Sequence, residues 1–98
     1  MTINKKSEGE MLTITLSGRL DTNSSPALEA ELKKSVNGVK ELIFDFSEVE
    51  YISSAGLRIL LAAQKVMNRQ GSMKLIGVNA DVMEVFEITG FSDILTIE

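Results

Sequence analysis

The 98-residue sequence contains no cysteine and no histidine. Thiolate nucleophiles, imidazole bases, phosphohistidine relays, disulfides and Cys/His zinc sites are therefore excluded, and most small-enzyme chemistry goes with them. Positive charge is also in short supply. Lys plus Arg number 10 against 14 Asp plus Glu, and the net charge of −4 has the wrong sign for neutralising a phosphate backbone. Direct binding to nucleic acid is not expected. Long apolar runs are missing as well, since no stretch approaches the roughly 20 residues of a membrane span. Met1 to Glu10 carries Lys5, Lys6, Glu8 and Glu10 with no apolar run behind them, unlike a secretory leader. The expectation is a cytoplasmic chain with no membrane partner, with which the lack of Cys is consistent. Phosphate-cradling loops of the GxxxxGKS/T or GxGxxG type do not occur, so intrinsic nucleotide hydrolysis is not supported. What is present is 44% hydrophobic and 24% charged residues with one proline, the composition of a folded globule rather than a disordered chain. The length matches one hydrophobic core, so residues 1–98 are read as a single domain.

The run Met11 to Leu16 sets Leu12, Ile14 and Leu16 on one face and Met11, Thr13 and Thr15 on the other, the period-2 pattern of a half-buried strand. One face of the sheet should then be only lightly covered. Thr2 to Lys5 is expected to pair with this strand as a hairpin across Lys6 to Glu10. Ser25 followed by Pro26 reads as an N-cap and first helical residue, with Leu28, Leu32 and Val36 as the buried stripe and a stop near Asn37-Gly38. Glu41 to Phe46 is the central-strand candidate. A second helix is expected from Ser53-Ser54 to about Arg69, with Ile59, Leu60, Ala63, Val66 and Met67 on one stripe widened by Leu57, Leu61 and Ala62. Met73 to Val78 supplies a strand, and Asn79 caps a third helix carrying Val82, Val85 and Phe86. Gly90 closes that helix in the left-handed conformation, with Phe91 able to touch Phe86. Ile94 to Ile97 is left for a last short strand, and the five methionines read as core filler. The order β-β-α-β-α-β-α-β implies an α/β domain with a mixed sheet. Parallel strands should be joined by right-handed crossovers, with most helices on one face in two layers.

In such sheets functional groups gather beyond the carboxyl ends of the strands. Two segments fit: Gly18-Arg19-Leu20-Asp21 and Tyr51-Ile52-Ser53-Ser54-Ala55-Gly56-Leu57. Ser53-Ser54 reads first as a helix N-cap, worth about 1 kcal/mol. A catalytic serine would need a base; there is no histidine and no Ser-x-x-Lys, and Arg58 does not deprotonate, so no catalytic residue is assigned. The serine can still accept a phosphoryl group from another protein. A phosphate on Ser54 would meet the free N–H groups and positive end of the helix, and its charge would be felt mainly by partners. Gly56 is costly in a helix, which suggests either close approach by a partner or tight packing against a neighbouring element. Gly18 reads as a turn former. Asp21 either caps the Ser24-Ser25 region or sits beside Ser54 as a contact residue. Glu48 and Glu50 read as a solvated loop rather than a metal site. No metal and no cofactor are assigned.

Gly18-Arg19-Leu20-Asp21, the strand Leu42 to Phe46, Tyr51 to Leu57 and the closing Ile88-Thr89-Gly90-Phe91 together resemble the bacterial STAS domain. The similarity runs over nearly the whole chain in the family's order and is greatest to stand-alone anti-sigma factor antagonists. It implies a STAS-type two-layer fold and an activity of binding rather than catalysis. The unmodified antagonist would bind an anti-sigma factor that is also a serine kinase and so free the sigma factor. Phosphorylation at the start of the second helix would switch this off, and a PP2C-type serine phosphatase would reverse it. Aligned on Gly56-Leu57, the acceptor falls on Ser54, with Ser53 in place of the family's acid and Ala55 in place of its second hydroxyl residue. The partner surface implied by the resemblance comprises Asp21, Ser53, Ser54, Ala55, Gly56, Leu57 and Arg58. A scaffold subunit of a membrane-transport ATPase complex is the alternative, marked by insensitivity to charge at Ser54. A small molecule bound on the same rim is a third reading with weaker support.

Overall fold

In the computed structural model, which describes residues 1–98, the chain opens with an antiparallel hairpin of β1 (Thr2–Glu8) and β2 (Met11–Leu20). Only Gly9 and Glu10 separate the strands. Pairing therefore runs on to Glu8 opposite Met11, and the first strand is longer and its turn tighter than the sequence suggests. There follow α1 (Ser25–Ser35), β3 (Glu41–Ile52), α2 (Ser54–Gln70), β4 (Ser72–Ile76) and α3 (Ala80–Thr89), with a 3-10 turn at Phe91–Asp93. The sheet order is β1-β2-β3-β4, with β2, β3 and β4 mutually parallel. No helix is long and apolar enough to cross a membrane.

The alternation read from the sequence sorts the two faces. Leu12, Ile14 and Leu16 of β2, Leu42, Phe44 and Phe46 of β3, and Met73 and Leu75 of β4 are all buried in one core. Leu28 and Leu32 of α1, Leu60 and Met67 of α2, and Val82 and Phe86 of α3 complete it. Phe46 lies 6.3 Å from Phe44 edge-on and 6.3 Å from Phe86, so the central strand and the last helix share an aromatic contact. The alternate residues Thr13, Thr15, Ile43 and Asp45 are only half-buried, which leaves that face of the sheet without a covering layer.

Several elements depart from the sequence expectation. The central strand does not stop at Phe46 but continues to Ile52, because its pairing with β2 slips twice. Thr15 opposes Asp45 yet Ser17 opposes Glu48, and Gly18 opposes Val49 yet Arg19 opposes Tyr51. Each slip places one extra residue in β3, a β-bulge. Burial in β3 accordingly passes from every second residue to every third: Phe46, Val49, Ile52. Glu48 and Glu50 are exposed strand residues, not a loop. Gly18, with φ at +97°, sits within β2 at the second slip and is not a turn former.

Helix α1 includes Ser25 rather than being capped by it; Ser24 holds the cap position, because Asp21 organises the preceding turn. Val36 and Val85 are half-buried, and Val66 is exposed on α2 while Gln64 is buried. Of the methionines only Met67 and Met73 reach the core; Met1 is exposed and Met11 and Met83 are half-buried. Asn79 caps α3, its Oδ1 accepting the Val82 N–H at 2.8 Å while its Nδ2 donates to the Val49 carbonyl at 2.8 Å. Gly90 ends the helix at φ +82°, as expected, and Phe91 packs on the core. The last strand shrinks to one bridge, Leu75 to Ile97, because the 3-10 turn and a helical Ile94 consume the residues that would extend it.

Candidate functional site

The carboxyl ends of β2 and β3 meet the starts of α1 and α2. The junction is held by one backbone bond, in which the Ser53 N–H donates to the Leu20 carbonyl at 2.9 Å. Ser53 is extended, and its hydroxyl accepts the Gly56 N–H at 3.4 Å, while its carbonyl accepts the Leu57 N–H at 2.9 Å. Capping therefore falls on Ser53, which is half-buried. Ser54 becomes the first helical residue, exposed, with its hydroxyl engaged by no protein group. No acidic residue occupies the first turn of α2.

Asp21 caps the turn into α1. Its Oδ1 accepts the Asn23 N–H at 3.0 Å, the Ser24 N–H at 3.1 Å and the Ser24 hydroxyl at 3.2 Å. The Ser24 N–H contributes most to holding the carboxyl below its ordinary value of 3.8, against opposition from desolvation and with smaller help from the Ser24 hydroxyl, Asn23 and Arg19. The residue also lies directly after Leu20, so the cap stands beside the Leu20 to Ser53 junction. Of the two readings left open for Asp21, the cap is the one the hydrogen bonds show.

Ala55, half-buried, and Arg58, exposed, line a cleft of about 230 Å³ between the starts of α1 and α2, together with Thr22, Ser25 and Glu29. Gly56 and Leu57 are placed differently. Both are buried, and a Cβ on Gly56 would lie 2.8 Å from Leu20 Cγ and 2.9 Å from Ile52 Cγ1. The structure decides between the two readings of Gly56 in favour of packing. Gly56 and Leu57 are thus packed into the core beneath the exposed Ser54 and Arg58.

One feature of the rim is missing from the sequence reading. Arg19 and Tyr51 face each other across β2 and β3, with the guanidinium carbon 4.2 Å from the ring centroid. Tyr51 is an exposed aromatic, and Arg19 Nε stands 3.8 Å from Asp21 Oδ2. No spacing motif links positions so far apart in sequence; only the bulged register brings them together.

The profile of the STAS domain matches residues 2–98. BtrV of Bordetella bronchiseptica, designated an anti-sigma factor antagonist, is 39% identical over 89 residues, covering 89% of this chain and 77% of that protein. The anti-sigma-B factor antagonist of Listeria monocytogenes is 34% identical over 98 residues, covering 96% of this chain and 84% of the relative. Among solved structures, an anti-sigma factor antagonist from Mycobacterium paratuberculosis superposes with a TM-score of 0.88 at 23% identity, covering 98% of this chain and 83% of that one. That last likeness concerns the fold alone.

Proposed function

The chain belongs to the STAS domain family, among its anti-sigma factor antagonists, and we propose that it works as a phosphorylation-gated partner switch. Antagonists of this family regulate by binding and are not enzymes. In the proposed cycle the unmodified chain binds an anti-sigma factor that is also a serine kinase, and the sigma factor is released. The kinase then transfers the γ-phosphoryl of ATP to Ser54 Oγ; the hydroxyl proton is lost, ADP leaves and the complex separates. A PP2C-type serine phosphatase hydrolyses the phosphoserine and restores binding. Such a cycle runs in the cytoplasm and needs no cofactor on this chain.

The observation that carries this reading is the division of labour between the two serines. Ser53 does the capping, so Ser54 is exposed with a free hydroxyl at the positive end of a 17-residue helix. A phosphate there is tolerated by the fold. The contact surface is formed by Asp21, Ser53, Ser54, Ala55 and Arg58, resting on Gly56 and Leu57. A hundredfold shift in binding requires about 2.7 kcal/mol. A phosphate buried without a counter-charge in an interface costs that much or more.

The test uses the unmodified chain and Ser54→Asp as parallel baits in native-host lysate, with bound proteins identified by mass spectrometry. Recovery of an ATP-binding serine kinase by the first bait alone is expected. Equal recovery of the same proteins by both baits would overturn the switch, and transport-complex subunits on both would point to the scaffold role.

A further inference from the structure

We propose that Arg19, held over Tyr51, is a second contact element of the rim and pairs with a carboxylate side chain of the anti-sigma partner. The proposal rests on the partner-binding reading of the rim and names the chemistry that the partner must present.

Three observations support it. The first is how the chain presents Tyr51. Val49 is buried, so an unbroken strand would bury Tyr51 and expose Ile52; the bulge at Glu50 reverses both. Bulges of this kind re-aim side chains beside functional sites. The chain's one tyrosine is thereby left 41% exposed, just ahead of the proposed acceptor serine in sequence. The second observation is the state of Arg19. Its guanidinium is stacked 4.2 Å from the ring centroid, which orients the planar fork, and its side chain donates no hydrogen bond within the protein. Asp21 Oδ2 makes only a long ion pair with Nε at 3.8 Å, beyond hydrogen-bond reach, so the guanidinium keeps its N–H groups for a partner. An oriented guanidinium with free N–H groups matches a carboxylate through two parallel N–H to oxygen bonds.

The third observation is location. Leu20, between Arg19 and Asp21, gives its carbonyl to the Ser53 N–H, so the backbones that carry the stack and Ser54 are joined at the carboxyl ends of β2 and β3. Arg and Tyr are the residue types that carry binding energy in interfaces. On a chain of net charge −4, an arginine fixed on this edge selects an acidic partner group by complementarity.

The test is calorimetric titration of the purified anti-sigma factor with the full chain and with Arg19→Lys, Tyr51→Leu, Tyr51→Phe and Ser54→Asp. Arg19→Lys keeps the charge but loses the fork, and Tyr51→Leu removes the platform. Each is expected to raise Kd about tenfold. The double variant should be little worse than either, because the two side chains act as one unit. Tyr51→Phe keeps the ring and should bind like the parent chain, and the Arg19 and Tyr51 variants should keep the parent's thermal midpoint. Parent-like binding by Arg19→Lys and Tyr51→Leu, with Ser54→Asp inactive, would overturn this contact and leave the switch standing. Parent-like binding by Ser54→Asp, with Arg19→Lys weakened, would overturn the switch and retain the contact. If the parent chain binds no anti-sigma factor, both fall.

Discussion

Gly56 stands so close to Leu20 that a methyl group on its Cα would lie 2.8 Å from the Leu20 Cγ and 3.0 Å from the Leu20 carbonyl oxygen. That oxygen is also the acceptor for Ser53, so the contact sets how near α2 comes to the sheet. Gly56→Ala would gain about 1 kcal/mol of helix propensity. Overpacking of this kind costs about 1–3 kcal/mol. The expected outcome is a net loss of up to about 2 kcal/mol, read from the denaturant midpoint. An unchanged or higher midpoint would mean that Leu20 and Ile52 yield easily.

The two serines should separate cleanly in thermal melts. Ser53→Ala removes the cap, and because its bond is long at 3.4 Å the cost should fall in the lower half of the usual range, about 0.5–1 kcal/mol. Ser54→Asp places a carboxylate at the positive end of α2 and should hold or raise stability slightly, by about 0.3 kcal/mol. A large drop for Ser54→Asp would contradict a site built to carry a phosphate.

Asp21 gives the molecule a defined acid response. Its carboxyl is held below 3.8, chiefly by the Ser24 N–H, so the folded state releases the proton more readily than the unfolded chain. Its contribution is therefore complete above the ordinary carboxylate range. As pH falls the unfolded chain binds the proton first, and the contribution disappears through the depressed folded value. The difference in thermal midpoint between the parent chain and Asp21→Asn should be constant near neutrality and close as pH falls below the ordinary value of 3.8 and through the depressed folded one. A difference that persists at low pH would show that the turn does not depend on the ionised cap.

Lys5 links the edge strand to the helix layer, with Nζ 2.7 Å from Glu31 Oε2 and 3.0 Å from Ser35 Oγ. The Lys5 hydrogen bond, then its charge, lowers the Glu31 carboxyl below its ordinary value. Glu31→Gln is expected to speed hydrogen exchange across β1 while leaving β4 unchanged. Equal exchange in β1 would place its anchoring in the strand ladder alone.

Local chemistry was legible where one residue decides its own neighbourhood. Asn79 at a helix start, Gly90 at a helix stop and the alternation from Leu12 to Leu16 each act within a few positions, and each stands where the sequence puts it. The start of α2 was legible for the same reason, down to the pair Ser53-Ser54. Other features were hidden because a distant strand decides them. Ser47-Glu48 breaks the alternation after Phe46, so Glu48 and Glu50 read as loop until β2 pairs with them and the bulges absorb the extra residues. Gly56 could face a partner or the core, and only the position of Leu20 settles which.

The sequence by itself determined the order of elements through α3, the buried face of the sheet, the lack of histidine and cysteine and the serine pair that opens α2. These follow from periodicity, capping and residue inventory, which are properties of the chain before it folds. Tertiary structure alone decided that Ser53 caps while Ser54 stays free, that Gly56 and Leu57 support the rim from below, and that Arg19 meets Tyr51. Each of these depends on a register between β2 and β3 set by long-range pairing, and no local pattern encodes where two bulges will fall.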